Sequence, residues 1–87
     1  MKLKYEFVVR QIAGDYILVP SGASALALSG LITTNEVGAL LVEKLKQDAS
    51  REELIAAVLQ DFQVEETIAA ADVDRFLMMA RKLNILE

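Results

Sequence analysis

At Asn35 the hydrophobic pattern of this chain changes period, and that switch limits what the chain can fold into. Leu31-Ile32-Thr33-Thr34 has the β-branched composition of a strand. Asn35 follows with no loop to spare. Its side-chain oxygen suits a helix N-cap, and Glu36 places a negative charge at the positive end of the helix dipole. A strand locked to a helix start in this way is a candidate docking edge for a further strand.

The β-type runs precede the switch, and the helical periods follow it. Residues 4–12 are rich in Tyr, Phe, Val and Ile, Ala13-Gly14-Asp15 is a turn, and residues 16–20 form a second run that ends at Pro20. Two such runs around a short Gly-containing connection predict a hairpin. Residues 21–29 are small and mixed, with Leu26 and Leu28 as an apolar pair. They admit three readings: a loop, a helical turn, or an extension of the third strand over residues 30–34.

Downstream, Val37, Leu40, Leu41 and Leu45 share one helical face over residues 35–47. Ser50-Arg51-Glu52-Glu53 is a capping box, and the helix it opens, over 51–62, is expected to bury Leu54, Ile55, Val58, Leu59 and Phe62. A third helix over 65–83 centres on Ala69, Val73, Phe76, Ala80 and Leu83, flanked by Leu77 on one side and Ile68 and Met79 on the other. Asn84 tolerates the left-handed conformation, which suits a helix stop that returns Ile85 and Leu86 to the core. Strands segregated from helices predict one α+β domain over residues 1–87, a three-stranded antiparallel sheet followed by three helices. A hairpin combined with a helix-turn-helix gives it a winged-helix-like shape.

Eighty-seven residues leave room for one small core and little space for a buried catalytic cavity. The chain has no His and no Cys, which removes imidazole acid–base work, thiolate chemistry, disulfides and the usual zinc ligand sets. It carries no phosphate-cradling Gly loop and no nucleophile elbow. An enzyme is not expected, nor is a cofactor or metal. Lys2 and Lys4 resemble the start of a secretory signal, but Glu6 and Arg10 interrupt the apolar run such a signal needs. Between Asp15 and Glu36 the chain is uncharged, yet Pro20, Gly22, Gly30 and several Ser and Thr residues break the span a bilayer requires. The expected location is cytoplasmic.

Most acidic pairs sit in helix first turns, where carboxylates are simply stabilising. Asp72 differs, because helical geometry sets it beside the apolar stripe with Arg75 one turn on. That placement admits an i, i+3 ion pair or a groove wall that hydrogen-bonds a partner. Met78 and Met79 are adjacent and cannot both be central core; one fills a gap or contacts a bound peptide. Gly38 inside the first helix costs about 1 kcal/mol relative to Ala, which a tight approach of helix to sheet would explain.

Nucleic acid is the rival ligand that a winged-helix shape raises. From Asp48 to Asp74 the only cation is Arg51, against Asp48, Glu52, Glu53, Asp61, Glu65, Glu66, Asp72 and Asp74. Phosphate would be repelled from that surface. A second alternative is self-association, since a free strand edge that accepts a peptide can also pair with its own copy.

From Tyr5 to Leu86 the pattern resembles the PqqD family, named for a protein of pyrroloquinoline quinone biosynthesis. The most specific part is Gly30 to Gly38, similar to the family's strand followed by Leu-Asn-Glu-Thr-Gly, with Thr34 in place of Leu and Val37 in place of Thr. Val42 stands where the family commonly has an aromatic. The Ser50–Glu53 box, Gln63-Val64-Glu65-Glu66, Asp72-Val73 with Phe76-Leu77, and Asn84-Ile85-Leu86 also fit. The resemblance implies a module that binds a precursor (leader) peptide in ribosomal peptide modification and presents it to an enzyme, often a radical S-adenosylmethionine protein. The leader would add as a strand beside Leu31, Ile32, Thr33 and Thr34, against a helix wall of Asp72, Arg75, Phe76 and Met79.

Overall fold

A computed structural model describes residues 1–24 and 31–87 of the chain. The undecided stretch after Ser24 and the expected strand start at Gly30 lie outside the described residues. Strands β1 (Phe7–Ile12), β2 (Asp15–Pro20) and β3 (Ile32–Thr34) precede helices α1 (Glu36–Lys44), α2 (Arg51–Asp61) and α3 (Glu66–Lys82). The sheet is antiparallel in the order β1-β2-β3, so β2 is central and β3 is an edge. The expected class, three antiparallel strands and then three helices, is the one observed.

The hairpin turn is narrower than the sequence suggested. Ala13 (φ 50°) and Gly14 (φ 87°) alone make it, and Asp15 already pairs with Ile12. Positive φ at both central residues defines a type I′ turn, whose twist matches that of the strands it joins. β1 starts at Phe7 and not at residue 4. The chain ahead of it is diverted: Leu3 bridges Leu86, and the Lys4 N–H donates to the Ile85 carbonyl at 2.8 Å.

Both helix starts form as read. Asn35 accepts from the Gly38 N–H at 2.9 Å. Ser50 and Glu53 close the reciprocal capping box at 3.1 and 2.9 Å. At the end of α3, the Ile85 N–H donates to the Ala80 carbonyl and the Asn84 N–H to Arg81, both at 3.0 Å, with Asn84 at φ 57°. That is a Schellman stop with Asn in the left-handed position.

The core lies between the inner sheet face and the helices, around Leu18, Leu41, Val42, Leu45, Leu54, Val58, Val73, Leu77, Ala80 and Ile85. Val42 is fully buried and packs in the core from α1. Three expected core residues are exposed. Leu59 (38 %) lies about 100° around α2 from Val58 and falls at the rim. Ile68 (50 %) stands clear of the α3 seam. Leu83 (46 %) sits at the α3 C-cap, where the chain reversal sends Ile85 inward in its place. α1 ends at Lys44 rather than residue 47, and Leu45 caps it while remaining buried.

Candidate functional site

The free edge of β3 can be followed from the turn. In a two-residue hairpin the flanking pair, Ile12–Asp15, exchanges both backbone bonds, and bonded and non-bonded pairs then alternate. Arg10–Ile17 and Val8–Val19 are therefore bonded pairs, and Ile17 directs its N–H and C=O toward β1. Tyr16 and Leu18 direct theirs toward β3, where they meet Thr34 and Ile32. Thr33, opposite Ile17, is left with its N–H and C=O pointing away from the sheet.

That edge borders a cleft of about 180 Å³ between the β3–α1 junction and α3. Thr33, Thr34, Asn35, Val37 and Gly38 form one side, and Asp72, Arg75, Phe76 and Met79 the other. Six of the eight residues expected from sequence thus meet at one place. Leu31 stands just ahead of β3 and is strongly exposed, while Ile32 turns its side chain against the core. Neither side chain lines the cleft. Asn35, Val37 and Gly38, which the sequence marks as cap, helix face and close approach, also line it. Their contribution follows from a strand that ends with no loop before the helix, which turns the first helical residues into the cleft floor.

Gly38 holds the junction tight. A Cβ there would overlap Thr34 Oγ1 and would lie 3.0 and 3.1 Å from Thr34 Cβ and Cγ2. The strand side chain thus packs directly on the first turn of α1, which sets the cleft's near wall. On the far wall, Arg75 Nη1 donates to Asp72 Oδ1 at 3.0 Å. The Asp72 side chain is 23 % exposed and that of Arg75 72 %. The i, i+3 ion pair is present, and both of its residues line the cleft. Phe76 is nearly buried and Met79 half-buried, whereas Met78 projects into solvent. The volume suits one large side chain rather than a small-molecule ligand, for which pockets run about 300–1,000 Å³.

A second charge pair stands apart from the cleft. Arg51, at the start of α2, donates from Nε and Nη2 to the two carboxylate oxygens of Asp74 at 2.7 and 2.9 Å. The bonded guanidinium holds the Asp74 carboxyl below its usual range, and Asp74 in turn raises Arg51. The one cation between Asp48 and Asp74 is therefore already engaged by a carboxylate, which leaves that face unsuited to phosphate. Among the described residues, no helix is long and apolar enough to cross a membrane.

Together these features define a winged-helix-like α+β domain with an open edge strand facing a helix wall. The chain belongs to the PqqD family: the family described as Coenzyme PQQ synthesis protein D (PqqD) matches residues 15–86. No curated protein matches it. Among solved structures, "TbiB1 in Complex with the TbiA(beta) Leader Peptide" is similar, with a TM-score of 0.70 and 20 % identity over 100 % of this chain and 95 % of that one. At that identity the likeness is one of fold.

Proposed function

We propose that this chain is a peptide-recognition module that captures the leader of a ribosomally made precursor peptide by strand addition along β3. It then presents the peptide to a modifying enzyme, in keeping with the family a radical S-adenosylmethionine protein acting in the cytoplasm. The observation that carries the reading is Thr33, whose outward backbone donor and acceptor stand beside a cleft walled by α3. Strand addition draws affinity from main-chain bonds and selectivity from side-chain pockets, so this chain needs no catalytic group. Leu31, Ile32, Thr33 and Thr34 provide the edge; Asp72, Arg75, Phe76 and Met79 receive the peptide's side chains. Family membership and the leader peptide in the similar TbiB1 structure support the reading.

The test is an amide NMR titration with the leader segment of a short peptide encoded beside this gene. Shifts concentrated at Leu31–Thr34 and Asp72–Met79, with micromolar affinity (about −8 kcal/mol), are expected. Unmoved resonances with a peptide that the modifying enzyme accepts would overturn the proposal. Pairing of two copies through a strand edge is the competing use of the same surface, and size exclusion over a range of concentrations separates it.

A further inference from the structure

We infer that the cleft reads a two-residue signature in the bound peptide: a large apolar side chain and, two residues from it, a carboxylate that Arg75 engages. The inference rests on the peptide-recognition reading and deepens it.

Side chains of neighbouring strands project to the same face at paired positions. In β3, Thr33 faces outward and is exposed, whereas Ile32 and Thr34 face the helices and are half-buried. A strand laid along this edge therefore turns every second side chain toward α3. Successive inward side chains on that strand are about 6.6–6.8 Å apart. The α3 wall has two chemically distinct ends. Phe76 and Met79 are apolar; Asp72 and Arg75 are charged. Arg75 reaches one turn back to Asp72, so its guanidinium lies toward the midpoint of that pair, which is four residues from the midpoint of Phe76 and Met79, about 6 Å at 1.5 Å per residue. A strand running along the α3 axis would cross that distance in one alternate step.

Exposure decides the sign of the charge. Asp72 is largely covered and already accepts from Arg75, so it offers little to a newcomer. Arg75 uses Nη1 on Asp72 while most of its guanidinium remains at the open rim. A planar fork with spare donors, oriented by a neighbouring carboxylate, is suited to a second carboxylate. Arg75 is thus the selecting group and Asp72 a positioning residue.

The experiment is selection from a display library of random linear peptides against the full chain, its Arg75→Gln variant, and the exchanged pair Asp72→Arg/Arg75→Asp. The exchange keeps an i, i+3 pair, and circular dichroism melts check that both variants stay folded. Against the parent, enriched peptides should carry Asp or Glu two residues from a large apolar residue. Arg75→Gln should keep the apolar preference and lose the acidic one, and the exchanged pair should enrich Lys or Arg at that place. In one selected peptide, changing the acid to its amide should weaken binding to the parent roughly tenfold and leave Arg75→Gln unchanged. Enriched peptides without an acidic position, or with the same acid on Arg75→Gln, would refute this inference while leaving peptide recognition intact. No enrichment on the parent chain would remove both.

Discussion

The sheet has two outer edges, and they differ in what lies beside them. β1 offers the longer one: by the same alternation that frees Thr33, Phe7, Val9 and Gln11 point their backbone groups away from β2. The groove beside the start of β1 is also larger, about 540 Å³ against about 180 Å³. Yet that groove is lined mainly by the chain segment running through Lys2, Tyr5 and Val8 into β1 itself. β3 frees fewer groups but faces Phe76 and Met79 on a seventeen-residue helix, which Ala69, Val73, Leu77 and Ala80 anchor in the core. Free backbone groups give affinity without choice. A rigid wall a side chain's length away adds the choice, and among the described residues only the β3 cleft combines the two.

The strongest way to break this contrast is to push the cleft's near wall apart. Gly38→Ala should gain about 1 kcal/mol of helix propensity but place a methyl on Thr34 Oγ1. Overpacking of this kind costs typically about 1–3 kcal/mol, so a net loss in chemical denaturation is expected, together with lost peptide binding. Adding Thr34→Ala removes the overlapping hydroxyl and methyl and should restore much of the stability. An equally unstable double variant would show that the contact does not set the junction.

Next in size is a test of the edges themselves. Thr33→Pro deletes only the outward donor, because the β2 ladder runs through Ile32 and Thr34. The fold should survive and peptide affinity should fall about tenfold or more, the equivalent of a hydrogen bond. Gln11→Pro removes the corresponding outward donor of β1 and should leave affinity as it was. Equal losses at both positions, read by calorimetry, would erase the distinction drawn between the edges. A finer probe is the methionine pair. Met79→Ala trims the cleft and should weaken binding several-fold, whereas the solvent-facing Met78→Ala should not.

How far these features were legible in the sequence depends on how local their causes are. The Asn35 cap, the Ser50–Glu53 box and the Asn84 stop each involve residues within one or two turns, and all three form as read. That six of the named residues share one cleft also follows from strand-to-helix punctuation and a helical stripe, which are short-range patterns. Pairings made across the chain left no such trace. Leu3 with Leu86 and Arg51 with Asp74 depend on where whole elements come to rest. The apolar residues misplaced in the core, Leu59, Ile68 and Leu83, fail for a related reason. Periodicity gives the direction of a helix face but not how wide an arc its neighbours will cover.

The two charge pairs of α3 supply the smallest and most selective comparison. Asp72 faces the cleft with Arg75, while Asp74, two residues on, reaches back to Arg51 on α2. Asp74 has its carboxyl pKa lowered from 3.8, first by the hydrogen bond from Arg51 and also by that guanidinium's charge. A carboxyl whose pKa is depressed in the fold contributes its stability above the unfolded value and loses it as pH falls through the folded one. The difference in melting temperature between the parent and Asp74→Asn should therefore be fully present at neutral pH and vanish at pH values well below 3.8. Both partners are about half exposed, so the difference should be small and should shrink in high salt. Peptide affinity should not change in Asp74→Asn, since the group it removes binds across the α2–α3 seam. A loss of affinity there, with the melting curve intact, would mean that the binding surface extends past the Asp72–Arg75 wall to the opposite face of α3.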